Sequence, residues 1–168
     1  MEPLILAHGP VGHWFVMALF TLLPEAVGTF RAESKPAILT LLAERFAVVY
    51  GLDATTVLAG IEQRERLGST GFGRGVAIPH ARIAGVTRPA AVFLRLDQPV
   101  DFDAADGAAV NLVFGLLSPE HAGTAHLHAL AAISRMMRDE RMRAALAQAP
   151  NEEALYGLLC NVIDRDAA

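Results

Sequence analysis

The sequence predicts a single layered α/β domain, and three observations carry that expectation. Two apolar runs of strand length, Ala90–Leu96 and Val110–Leu117, lie between segments whose apolar residues recur at helical spacing. No internal repeat, low-complexity tract or linker splits the chain. At 168 residues the chain can bury roughly 70% of the surface its unfolded form exposes, so no covalent or metal staple is required.

Residues 1–16 hold glycines, two prolines, His8 and His13 without a clean period. They read as an N-terminal extension without an assigned role, with residues 17–168 forming the domain. Met17 is a second possible start of translation. Pro24 and Gly28 punctuate a segment expected to hold a short strand before Arg31. Ser34 is then a candidate N-cap with Pro36 in the first turn, and Ile38, Leu41, Leu42, Phe46 and Val49 mark an amphipathic helix ending near Gly51. Asp53 caps a second helix to about Arg66, with Val57, Leu58 and Ile61 inward.

Gly68, Gly71, Gly73 and Gly75 follow within eight residues. Val76-Ala77-Ile78 reads as a short strand because Pro79 pushes the residue before it into an extended conformation, which places His80 at a strand end. By itself the stretch fits two readings, a loop built to present His80 or a glycine-rich connection with an incidental histidine.

The strand Ala90–Leu96 is bounded by Pro89 and by Asp97-Gln98-Pro99, and Asp101–Gly107 is turn chemistry. Val110–Leu117 is a buried strand ended by Ser118-Pro119. Thr124 is expected to cap a helix carrying Leu127, Leu130, Ala131, Ile133 and Ser134 to about Met137. A shorter helix runs from Asp139 to Ala147. Asn151 caps the last one, with Glu152 and Glu153 in its first turn and Leu155, Leu158, Leu159 and Val162 as its packing stripe.

The net charge of -4 comes from mixed signs without a basic block, which argues against a nucleic-acid or anionic-membrane surface. Lys35 is the only lysine against thirteen arginines and reads as a compositional feature. Cys160 is the only cysteine, which excludes an intrachain disulfide and a cysteine zinc site and suits a buried thiol. The apolar segment Trp14–Leu23 falls far short of the ~20 residues that span a bilayer. It has no basic residue before it, so neither export nor membrane insertion is expected, and a cytoplasmic location fits.

Gly68 to Gly73 has G-x-x-x-x-G spacing, but Arg74-Gly75 stands where a phosphate loop needs Lys-Ser/Thr, which argues against a nucleotide cofactor. His121, His126 and His128 do not make a metal centre, because i and i+2 point to different faces of a helix and no H-E-x-x-H pattern is present. His121 and His128 read as surface residues. His126 lies near a helix N-terminus, where free N–H groups favour an anion; it is either a donor to such an anion or a polar residue in an exposed first turn. Arg64, at the end of the second helix, is either a cation for the same place or a solvated helix-end residue. Ser69 and Thr70 add hydroxyls, yet no nucleophile elbow surrounds them.

Four blocks in order, Arg64-Glu65-Arg66-Leu67-Gly68-Ser69-Thr70-Gly71, Gly73-x-Gly75-Val76-Ala77-Ile78-Pro79-His80, Phe102-Asp103-Ala104-x-Asp106 and His126-Leu127-His128-x-Leu130, resemble the fructose/mannitol-type enzyme IIA domains of the bacterial phosphoenolpyruvate-dependent phosphotransferase system. The resemblance runs from about Leu19 to Leu159 and points most strongly to the nitrogen-related regulatory enzyme IIA. It implies an α/β fold with a mixed central β-sheet flanked by helices. It also implies a phosphoryl carrier in which His80 accepts the group from an HPr-like phosphocarrier protein, His126 stabilises it and Arg64 neutralises its charge. Ser69, Thr70 and Thr124 are possible supporting residues. The implied recipient is a regulated target protein or, alternatively, a sugar-specific IIB component; a binding module that has lost phosphorylation is a further alternative. The chain departs from the family pattern at Ala125, at Ala109 and at Ala81-Arg82 after His80, and the first departure removes a hydroxyl beside His126.

Overall fold

The computed structural model describes residues 19–165, with side chains to Asn161. The expected extension at residues 1–16, with His8 and His13, the alternative start at Met17 and the side chain of Val162 lie outside the described residues. After a 3-10 turn at Pro24–Ala26, the elements run β1 (Val27–Phe30), α1 (Lys35–Tyr50), α2 (Ala54–Arg66), β2 (Gly71–Gly73), β3 (Val76–Ala77), β4 (His80–Ile83), β5 (Ala90–Val100), β6 (Val110–Pro119), α3 (Thr124–Arg138), α4 (Glu140–Gln148) and α5 (Glu152–Arg165).

The sheet is mixed, in the order β1-β5-β6-β3-β2 with β4 also on β6. Strand β5 is antiparallel to β6, whereas β1 is parallel to β5, and β3 and β4 are parallel to β6. β6 is buried almost throughout, as a strand covered on both faces must be. Phe93 stands opposite Phe114 across the β5–β6 ladder, with ring centroids 5.6 Å apart, and Phe20 meets Phe114 edge-on at 6.0 Å. Helix α1 lies so close to β6 that a Cβ on Gly115 would fall 2.7 Å from one Leu42 methyl and 3.0 Å from the Phe46 ring.

The expected caps at the first two helices are present. Ser34 Oγ accepts from Ala37 N–H at 3.2 Å, Asp53 from Thr56 N–H at 2.9 Å, and α1 stops at Gly51 with φ +69. Asp139 and Asn151 begin α4 and α5 in the same way. On α1 the buried set is Ile38, Leu39, Leu42, Ala43 and Phe46, so Leu41 and Val49 are only half-buried.

Three local expectations are corrected. The glycine-rich stretch is not an open loop: β2 and β3 form an antiparallel hairpin, closed by Arg74 at φ +57 and Gly75 at φ +83, the two positive angles that a tight hairpin turn requires. His80 begins strand β4 and does not end β3. Val76–Ala77 and His80–Ile83 pair with β6 in one common register, interrupted where Pro79 has no N–H to give. Strand β5 continues past Asp97-Gln98-Pro99 to Val100 through a register irregularity after Arg95, the kind of place where a strand tolerates proline.

Helix α3 carries the largest correction. Its cap is Gly123, at φ +56 and without a side-chain hydrogen bond, and Thr124 is an exposed first residue. The stripe turned to the sheet is His126, Ala129, Ile133, Met136 and Met137, while Leu127 remains 56% exposed. Among the described residues no helix is long and apolar enough to cross a membrane.

The tight contact at Gly115 yields an expected outcome. Gly115→Val should lower the free energy of unfolding by about 1–3 kcal/mol through overpacking against Leu42 and Phe46, measured by urea denaturation. Stability equal to the parent would contradict this packing.

Candidate functional site

Strand β4, the end of α2 and the start of α3 converge on His80. Its Nδ1 lies 2.7 Å from the Ile78 carbonyl oxygen. A carbonyl can only accept, so Nδ1 carries the proton and Nε2 is left with its lone pair. Arg64, in the last turn of α2, donates its Nε–H toward that nitrogen across 3.3 Å, and its Nη1 is anchored on the Gly68 carbonyl at 2.8 Å. Burial holds the His80 pKa below the ordinary histidine value, the Ile78 carbonyl acts against that, and the Arg64 guanidinium lowers it further. The result is a neutral imidazole with an unprotonated nitrogen facing a cation.

His126 is buried, 5% exposed, in the first turn of α3, with its ring centroid 5.5 Å from that of His80. Its Nδ1 is 2.7 Å from the hydroxyl of Ser118, which is itself fully buried at the end of β6. Burial first, then His80 and Arg82, push its pKa down to about 4. A cavity of about 430 Å³ is lined by Gln63, Arg64, His80, Arg82, His126 and Leu127, among others. A smaller cavity of about 200 Å³, also lined by His80, is bounded by Arg64, Ser69, Thr70, Phe72 and Ser134.

The structure therefore brings His80, His126 and Arg64 to one place, with Arg82 at its edge. Ser69 and Thr70 border the smaller cavity, but their hydroxyls are engaged in the turn. Ser69 Oγ donates to the Phe102 carbonyl at 2.8 Å and accepts from Gly71 N–H at 3.0 Å. Thr70 gives both its N–H and its hydroxyl to the buried Glu65 carboxylate. Thr124 lines neither cavity. His121 and His128 are exposed, and among the described residues no group of three or more His, Cys, Asp or Glu could hold a metal ion.

Sequence reasoning missed three residues here. Glu65 continues the Val57–Ile61 stripe by one more turn, and that spacing is the signal of its burial. Lys35 is a structural ion-pair partner, with Nζ 2.9 Å from Glu65 Oε2 and 4.7 Å above the Phe102 ring, which its rarity in the sequence did not suggest. Ser118 looks in the sequence like a strand terminator alone, although a polar residue closing a continuous buried run calls for a partner.

Residues 24–162 match the family model described as the phosphoenolpyruvate-dependent sugar phosphotransferase system, EIIA 2. A nitrogen regulatory protein of Bradyrhizobium diazoefficiens is 41% identical over 81% of this chain and 90% of its own length. One from Pseudomonas aeruginosa is 49% identical over 66% of this chain and 71% of its own. The crystal structure of nitrogen regulatory protein IIA-Ntr from Neisseria meningitidis superposes with a TM-score of 0.77 at 34% identity, covering 82% of this chain and 95% of that one.

The depressed pKa values set a sign for stability. Because the folded state favours neutral His80 and His126, the stability this confers is complete above the ordinary histidine pKa of about 6.5 and is lost as pH falls below it, in the case of His126 toward about 4. Unfolding midpoints in urea should fall across that window, and His126→Ala should flatten the fall. An equally steep fall in the variant would show that His126 is not its source.

Proposed function

The chain belongs to the EIIA 2 family of the phosphoenolpyruvate-dependent sugar phosphotransferase system, and we propose that it is a protein-histidine phosphoryl carrier that takes the group on His80 Nε2 from an HPr-like phosphocarrier. The observation that carries this reading is the Ile78 carbonyl on Nδ1, which leaves Nε2 unprotonated and open to attack phosphorus. As the Nε2–P bond forms, the donor's N–P bond breaks and its electron pair returns to the donor imidazole. Phosphoryl transfer needs alignment and neutralisation of the equatorial oxygens more than covalent help. Arg64 supplies the cation, held near by its contact with Gly68, and His126 supplies a neutral donor at the base of α3.

Exposed Leu67 and Leu127, 83% and 56% accessible, offer apolar contact to the incoming carrier beside this cavity. Ser69 and Thr70 act by shaping the turn, and Thr124 is given no part in transfer. The relatives named nitrogen regulatory proteins favour a regulatory output. In this proposal the carrier works in the cytoplasm, with residues 17–168 as its domain and 1–16 as an extension to it.

A second reading, delivery of the group to a sugar-specific IIB component, is favoured by a separate observation. The fructose-specific EIIABC component of Bacillus subtilis is 40% identical over 99 residues, 59% of this chain and 16% of that longer protein. A binding module without phosphorylation is disfavoured by the convergence of His80, His126 and Arg64.

Incubation with phosphoenolpyruvate, enzyme I and an HPr-like carrier should add one acid-labile phosphoryl group, and His80→Ala should abolish it. Arg64→Ala or His126→Ala should fold and slow transfer by about 10²–10³, the loss typical of one charge-stabilising donor. An unchanged intact mass for the wild type would overturn the carrier reading. Affinity capture with the phosphorylated form separates the two outputs, and recovery of a IIB component would favour the second.

A further inference from the structure

We infer that Ser118 is a positioning residue that fixes the tautomer of His126, so that His126 Nε2–H faces the phosphoryl group; the inference rests on the carrier reading above. Ser118 is 0% exposed, and His126 Nδ1 at 2.7 Å is the only hydrogen-bond partner of its hydroxyl among the described residues. Two arrangements are available to this pair. If Nδ1 carried the proton, it would donate to Ser118 Oγ, and the hydroxyl hydrogen would be buried without an acceptor, at a cost typical of an unmade buried hydrogen bond. If Nδ1 is bare, the hydroxyl donates to it and both groups are satisfied.

The second arrangement places the ring proton on Nε2, the nitrogen not held by Ser118, in a residue that lines the cavity shared with His80 and Arg64. His126 is then a fixed donor, where the alternative tautomer would turn a lone pair toward an anion. Ser118 reaches this position through the fold: it pairs with Arg82 in the β4–β6 ladder, two residues beyond the pairing of His80 with Leu116. One strand thus aligns the acceptor histidine through β4 and orients the assisting histidine through its last buried side chain. Ala125, immediately before His126, has no hydroxyl to offer that ring, so the orienting group comes from the sheet.

The test joins a spectroscopic and a kinetic measurement on the full chain. Nitrogen-15 NMR of ring-labelled protein should show His126 as the Nε2–H tautomer in the wild type and as a tautomer mixture, or a shifted ring, in Ser118→Ala. Transfer from the HPr-like carrier should slow about tenfold in Ser118→Ala, in line with the loss of a partner that orients a functional histidine. The same substitution should have no further effect in a His126→Ala background. An Nδ1–H tautomer in the wild type would overturn the assignment whatever the transfer assay gives, as would equal slowing by Ser118→Ala in both backgrounds. Absence of phosphoryl uptake by the wild type would instead overturn the carrier reading and the kinetic half of the inference with it, and the tautomer result tells the two failures apart.

Discussion

One hydrogen bond, from His80 Nδ1–H to the carbonyl of Ile78, decides what this site can do. It spans only two residues, and it works because Pro79 stiffens the link between them and because β4 starts at His80 itself. The bond fixes the tautomer, the tautomer exposes Nε2, and Arg64 approaches that nitrogen as a donor. With the ring pointing the other way, the cation, the second histidine and the cavity would surround an N–H and not a nucleophile.

The surrounding structure keeps that geometry in register. Strand β6 pairs with β3 and β4 on one side and β5 on the other, so the short segment bearing His80 is held by the most buried strand of the sheet. The turn after α2 is held from below by Glu65, which binds Thr70 and is itself paired with Lys35. A buried ion pair is weak evidence of stability, because desolvation offsets much of its attraction. Its geometric effect is clearer: it ties the start of α1, the end of α2 and Thr70, just ahead of β2, together at the residue next to Arg64. Small movements there would separate guanidinium and imidazole, and alignment is most of what phosphoryl transfer asks of a protein.

Much of this was legible in the sequence where patterns are local. The caps at Ser34, Asp53 and Asn151, the buried runs of β5 and β6 and the α/β layering follow from side-chain chemistry and period. The trio His80, His126 and Arg64 came from the spacing of four blocks together with a family resemblance, since each residue alone fitted a surface reading equally well. What escaped depends on pairing across the sheet. A hairpin of Gly71–Gly73 with Val76–Ala77 has too few side chains to show alternation, and a strand starting at His80 is defined by its register with Leu116, which no local window contains. The phase of α3 is hidden because Leu127 and Leu130 look like core residues. The sheet instead receives His126, Ala129 and Ile133, leaving the leucines at the cavity rim.

The family relationship accounts for the fold and for phosphotransferase chemistry as a class, and the proposed carrier role assigns that chemistry to a particular nitrogen. That nitrogen can be identified directly. In protein labelled with nitrogen-15 at histidine and phosphorylated through its carrier, the phosphorus should couple to Nε2 of His80, while Nδ1 keeps its proton on the Ile78 carbonyl. Coupling to Nδ1 of His80, or to a nitrogen of any other histidine, would contradict the account at its centre.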